Sequence, residues 1–104
     1  MVEYEVRITR SAENDLREIW RYISTQLNAP TTALKMVQTI RESIAALKTS
    51  ALMCSLVRDD RLAALGYRPL IIKNYIAFYT VSEKEKVVFV ERILYGRRDW
   101  INIL

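Results

Sequence analysis

Two stripes of apolar residues at helical spacing, separated by very little chain, constrain this sequence more than anything else in it. Ala12, Leu16, Ile19, Ile23 and Leu27, with Tyr22 beside them, share one helical face. Ala33, Met36, Val37, Ile40, Ile44 and Leu47 share another. Proline disfavours helix in the residue before it but is tolerated in a first helical turn. Pro30 therefore stops the first helix near Asn28 and lets the second begin over 30–32. Two amphipathic helices on so short a link fold back as an antiparallel αα-hairpin. Ser11 is the expected N-cap of the first helix, with Glu13 and Asp15 in its first turn, where carboxylates suit the helix dipole. Glu13 and Arg17 are spaced to pair on its outer face.

Elsewhere the period changes to two. Tyr4, Val6 and Ile8 alternate with Glu5, Arg7 and Thr9, which reads as a half-buried strand. Three further strands are expected over 67–72, 75–81 and 87–95. Pro69 suits an edge or a strand start. Lys73-Asn74 reads as a tight turn with Asn74 at positive φ, and 82–86 as a charged turn. Residues 49–66 are less regular, with a short helical turn over 62–65. The order is β-α-α-β-β-β. The expectation is an α+β fold, a mainly antiparallel sheet with the αα-hairpin packed on one face, forming one domain over 1–104.

Composition removes several functions. The chain has 104 residues, one cysteine and no histidine. Cys54 forms no internal disulfide and has no histidine to activate it, so it reads as a small packing residue. A zinc site is not expected from one thiol and carboxylates, nor a phosphate loop from two glycines. No cofactor or metal is expected. Met1 to Arg10 has no apolar core of a signal peptide, and no apolar run reaches membrane-spanning length, so the expected location is the cytoplasm. Residues 1–60 carry eight basic and eight acidic side chains; residues 61–104 carry eight basic and four acidic. The whole net charge of +4 thus lies in the C-terminal part, which points to an anionic partner.

The last strand concentrates that charge. Arg92 interrupts the apolar run Val87–Tyr95 and needs either a carboxylate or an open groove. Gly96 turns the chain, and Arg97, Arg98 and Trp100 follow. Three guanidiniums beside Tyr95 and Trp100 suit planar contacts with phosphates, bases or carboxylates. Two readings of Arg98 stand side by side: a phosphate contact, or a carboxylate pair pinning the tail. Tyr75 and Tyr79 share a strand face, where core packing is favoured over base stacking. Trp20 lies off the main stripe of the first helix and is a candidate exposed anchor for a partner.

Taken in order, Ala12-Glu13-Asn14-Asp15-Leu16-Arg17-Glu18-Ile19, Tyr22-Ile23, Gly66-Tyr67-Arg68, the run Lys73 to Val81 and the run Val90 to Asp99 give a chain that resembles the RelE/ParE toxin superfamily over nearly its whole length. The resemblance implies the toxin of a type II toxin–antitoxin module, silenced by a co-expressed antitoxin whose C-terminal segment wraps it into an oligomer. It also implies one of two targets: the ribosome, where RelE-like members cut mRNA, or DNA gyrase, which ParE-like members poison without being nucleases. For cleavage, the resemblance places Arg68 and Arg98 in the catalytic cluster, with Lys73 adding charge at the adjacent turn and Tyr95, or else Tyr75, standing in for the tail tyrosine. Arg92, Arg97 and Tyr75 would contact nucleic acid or target, and Trp20 and Trp100 the antitoxin. Two positions depart from the nuclease pattern. Ile76 stands where those enzymes usually have an arginine, and Leu104 roughly where a tail tyrosine would be. A basic nucleic-acid-binding module without toxicity is the alternative, and salt-sensitive binding to nucleic acid alone would distinguish it.

Overall fold

Thr9 closes the first strand and opens the first helix. In the computed structural model, which describes residues 2–104, its hydroxyl accepts from the Ala12 N–H at 3.1 Å and donates to the Glu91 carbonyl at 2.9 Å. The N-cap is therefore Thr9 and not Ser11, because a residue at the strand end can tie helix to sheet. Strand β1 spans Glu5–Ile8 and helix α1 spans Arg10–Arg21.

The chain continues as a π-helical turn over Tyr22–Gln26 instead of further α-helix. The Ser24 and Thr25 hydroxyls both donate to the Arg21 carbonyl, competing with the regular ladder. Ile23 stays buried, but Tyr22 and Leu27 are more than half exposed, contrary to their place in the expected stripe. Asn28 ends the segment at φ 50°, and Pro30 opens helix α2, Pro30–Ala45. Glu13 pairs with Arg41 of α2 and not with Arg17. Two N–H···O bonds of 3.0 Å cross the hairpin, and such a bidentate fork outweighs a single contact along the helix. Arg17 donates to Asn14 instead.

Helix α3 (Leu47–Ser50) and helix α4 (Asp60–Ala64) are short. The Asp59 carboxylate accepts from the Leu62 N–H at 2.9 Å, so α4 begins two residues before the expected turn. Strands β2 (Arg68–Ile72), β3 (Tyr75–Ser82) and β4 (Val87–Tyr95) follow, then helix α5 (Trp100–Ile103). The sheet order is β1-β4-β3-β2, with β1 parallel to β4 and the other pairs antiparallel. Pro69 lies on the edge strand β2, where the missing donor is tolerated. Lys73, not Asn74, takes the positive φ, at 54°. That turn leaves the Asn74 carbonyl free to accept from the Gly96 N–H at 2.8 Å. Phe78 faces Arg92 and Tyr79 faces Val90, so Glu91 is the extra residue of a β-bulge.

One sheet face carries Tyr75, Ala77, Tyr79, Val88, Val90 and Ile93, and the αα-hairpin packs on it through Ala12, Leu16, Ile19, Ile40 and Ile44. The other face carries Phe78 and Leu94, covered by Val57, Leu62 and the tail residues Trp100, Ile103 and Leu104. No helix among the described residues is long and apolar enough to cross a membrane.

Candidate target-contact surface

β1 covers only the first half of β4, its last pair being Ile8 with Val90. Beyond that point the edge of β4 would present bare peptide groups. Side chains take over the ladder. The Thr9 hydroxyl donates to the Glu91 carbonyl, and the Asp15 carboxylate accepts from the Ile93 N–H at 2.9 Å. The same carboxylate takes two bonds from Arg92, at 2.7 and 3.0 Å. This hydrogen-bonded partner holds the Arg92 guanidinium above its ordinary pKa, against the opposing effect of burial. Arg92 therefore has its carboxylate, and its fork is committed to bracing β4 against α1.

Arg68 stands at the start of β2, opposite Tyr79, and donates to the Cys54 carbonyl. Lys73 follows the far end of the same strand. Strand spacing puts their Cα atoms roughly 17 Å apart. Tyr95 is paired with Tyr75 at that far end, and the chain beyond it stays there: the Arg98 N–H donates to the Tyr95 carbonyl at 3.0 Å. A Cβ on Gly96 would stand 3.3 Å from the Asn74 carbonyl oxygen, so glycine permits the close approach of the two turns. Lys73, Tyr75, Tyr95, Arg97 and Arg98 are thus brought to one end of the sheet, while Arg68 stands at the other end of β2, opposite the middle of β3.

Arg97 and Arg98 are exposed, and among the described residues neither forms an ion pair. Carboxylate pinning of the tail by Arg98 is therefore not the arrangement adopted. The tail is held by packing instead: Trp100 stacks obliquely on Phe78, ring centroids 5.1 Å apart, and Arg61 donates to the Ile101 carbonyl. Ile76 is half-buried beside the same cluster, as is Leu104. Trp20 is 45% exposed. It lines a shallow groove of about 240 Å³ between α1 and α2, with Leu16, Val37 and the Glu13–Arg41 pair.

Sequence reasoning missed Tyr22. It is more than half exposed, and its phenol acts on that of Tyr75, whose pKa is raised first by burial and then by Tyr22 and Tyr95. The available signal was its position one residue before Ile23, off the phase of the buried stripe.

This architecture is shared with solved toxins. The chain is 26% identical to a chain of the chromosomal ParDE toxin–antitoxin system from P. aeruginosa, with a TM-score of 0.74 over 91% of this chain and 98% of that one. The RelBE2 toxin–antitoxin complex from Mycobacterium tuberculosis matches with a TM-score of 0.68 at 19% identity, over 90% and 99% of the two chains. A mutant of E. coli toxin RelE in the free state matches at 0.60 and 12% identity, over 97% and 92%. These last two show the fold alone. No curated protein matches the sequence significantly. The class is thus the RelE/ParE fold of toxin–antitoxin toxins. Residues 6–100 match the family described as ParE toxin of type II toxin-antitoxin system, parDE, and the chain belongs to that family.

Proposed function

We propose that this toxin arrests growth by binding and poisoning DNA gyrase in the cytoplasm, and that it does not cut mRNA. The separation of Arg68 from Lys73, Tyr95 and Arg98 carries this reading. Cleavage through a ribose 2′-hydroxyl needs a base, an acid and a charge stabiliser all within about 3 Å of the reacting groups. Groups at opposite ends of a strand do not meet around one phosphate. Arg92 is held by Asp15, and the position of Ile76 offers no charge. What remains clustered is a cationic, aromatic corner with Arg98 at its exposed tip, suited to gripping a target surface.

A cognate antitoxin neutralises the toxin in this reading. The groove at Trp20 takes an apolar side of the antitoxin segment, and Trp100, half-buried on Phe78, forms a secondary contact. Inducible expression in a bacterial host tests the target. Gyrase-linked DNA breaks with intact messages are expected. Ribosome-dependent cuts in a translated message, mapped by primer extension, would replace this reading with mRNA cleavage.

A further inference from the structure

On the sheet face away from the helical hairpin, three aliphatic side chains stand in one row. Ile71 of β2 is registered with Ile76 of β3, and Ile76 with Leu94 of β4; directly paired residues share a face. The tail covers only part of this row. Leu94 is buried and Ile76 half-buried, whereas Ile71 is 72% exposed. Edge strands are ordinarily blunted by a charged side chain. A bare isoleucine at this place on β2 buries little and is not what folding requires.

The row ends at cations. Lys73 follows Ile71 by two residues. A Cβ on Gly96 would stand 3.7 Å from the Ile76 side chain, so the turn carrying Arg97 and Arg98 lies against the same strip. Lys73, Arg97 and Arg98 are exposed, and among the described residues none of them forms an ion pair. The neighbouring Asp99 carboxylate accepts from the Asn102 amide.

An aliphatic strip rimmed by free cations selects its occupant. Isoleucine offers a nucleic acid no ring to stack on and no hydrogen bond, so phosphates would use the cations and leave the strip in water. A second copy docked on the strip about a two-fold axis would bring the same cations against each other. A protein segment with a large apolar side chain flanked by carboxylates uses both parts. We propose that Ile71 and Ile76 form the apolar seat of the target interface and take an apolar side chain from an acidic surface segment of gyrase, whose carboxylates meet Lys73, Arg97 and Arg98. The inference rests on the gyrase reading and names the chemistry of that contact.

The test is biolayer interferometry of purified toxin on immobilised gyrase holoenzyme, with thermal melts and plating under induction for each variant. Ile71→Thr keeps the branched strand former and removes apolar surface; it is expected to weaken binding roughly tenfold with the melt preserved. Ile71→Leu is expected to weaken it no more than about twofold. Ile71→Lys is expected to weaken it at least as much as Ile71→Thr in spite of the added positive charge, and it decides alone should Ile71→Thr disturb the fold, because edge strands carry lysine readily. Gyrase binding by Ile71→Lys as tight as that of the unaltered toxin overturns the proposal. So does a loss of antitoxin binding in Ile71→Thr with gyrase binding intact, which would give the strip to the antitoxin. In either case the gyrase reading stands. An unaltered toxin that does not bind gyrase removes that reading instead. Plating then decides the strip: arrest lost in a folded Ile71→Thr variant keeps it as the seat for a different protein target, and full arrest overturns it.

Discussion

The carboxylate of Asp15 simultaneously holds both N–H groups of the Arg92 fork, at 2.7 and 3.0 Å, and the backbone N–H of Ile93, at 2.9 Å. One side chain of α1 thus completes the ladder of β4 and neutralises the only arginine within that strand. Its side chain is 13% exposed, that of Arg92 28%. Removing one partner of a largely buried pair leaves the other charge and a peptide donor unmatched. Asp15→Ala is therefore expected to cost about 3 kcal/mol and to lower Tm by roughly 15 °C in a chain of this size. A melt within a few degrees of the unaltered protein would mean that β4 does not depend on this brace.

Tyr79 supplies a pH dependence. It is fully buried at the centre of the sheet and donates to the Ala51 carbonyl at 2.9 Å. Burial above all, with hydrogen bonding behind it, pushes its phenol well above the ordinary 10.0. The folded protein keeps this proton at pH values where the unfolded chain has lost it. The stabilisation is complete below pH 10 and is lost as pH rises beyond it. Tyr79→Phe is expected to cost about 1 kcal/mol at neutral pH through the unmatched carbonyl. It should also flatten the alkaline fall in stability. Tyr4, Tyr67 and Tyr75 are raised as well, so part of the slope persists. Denaturant midpoints at pH 8 and pH 10.5 measure both effects; an identical pH slope in the variant would contradict them.

Arg98 separates function from stability. Its side chain is exposed and its backbone alone joins the turn after β4. Arg98→Ala should shift stability by no more than about 0.5 kcal/mol, as surface changes usually do, while abolishing growth arrest. Plating under induction, together with a thermal melt, checks the two halves. Arrest by a folded Arg98→Ala variant would take Arg98 out of the contact surface.

The sequence could announce the αα-hairpin because helical spacing with a proline stop is a local signal. The grouping of Lys73, Tyr75, Tyr95, Arg97 and Arg98 does not read as one cluster in the sequence, because it needs the pairing of Tyr75 with Tyr95 and the Gly96–Asn74 turn contact to assemble. What could not be read depends on distant or irregular geometry. Arg92 visibly required a carboxylate, but Asp15 lies 77 residues away and was indistinguishable from any first-turn acid. Arg68 and Lys73 are a different case: the strand expected over 67–72 already sets them at its two ends, and only the family resemblance groups them. A π-helical turn has no residue pattern of its own, so Leu27 reads as part of the buried stripe although the turn leaves it exposed. The tail is too short to display a period, and its packing over Phe78 and Leu94 depends on a face no local pattern reveals.

The groove between α1 and α2 leads to the last prediction. Trp20 projects beside the Glu13–Arg41 bridge, and a large ring kept 45% exposed makes the free toxin surface more apolar than folding requires. If an antitoxin segment covers this groove, burial of the ring is worth far more in the complex than in the free toxin. Aromatic anchors of this kind commonly cost 2 kcal/mol or more when truncated, equivalent to roughly 30-fold in affinity. Trp20→Ala is therefore expected to leave Tm nearly unchanged, to keep the toxin active, and to weaken antitoxin binding at least roughly 30-fold. Calorimetric titration of the variant with the cognate antitoxin measures this directly, and co-expression reports it as incomplete neutralisation. Equal affinity in the variant would place the antitoxin elsewhere on the toxin, away from the hairpin groove.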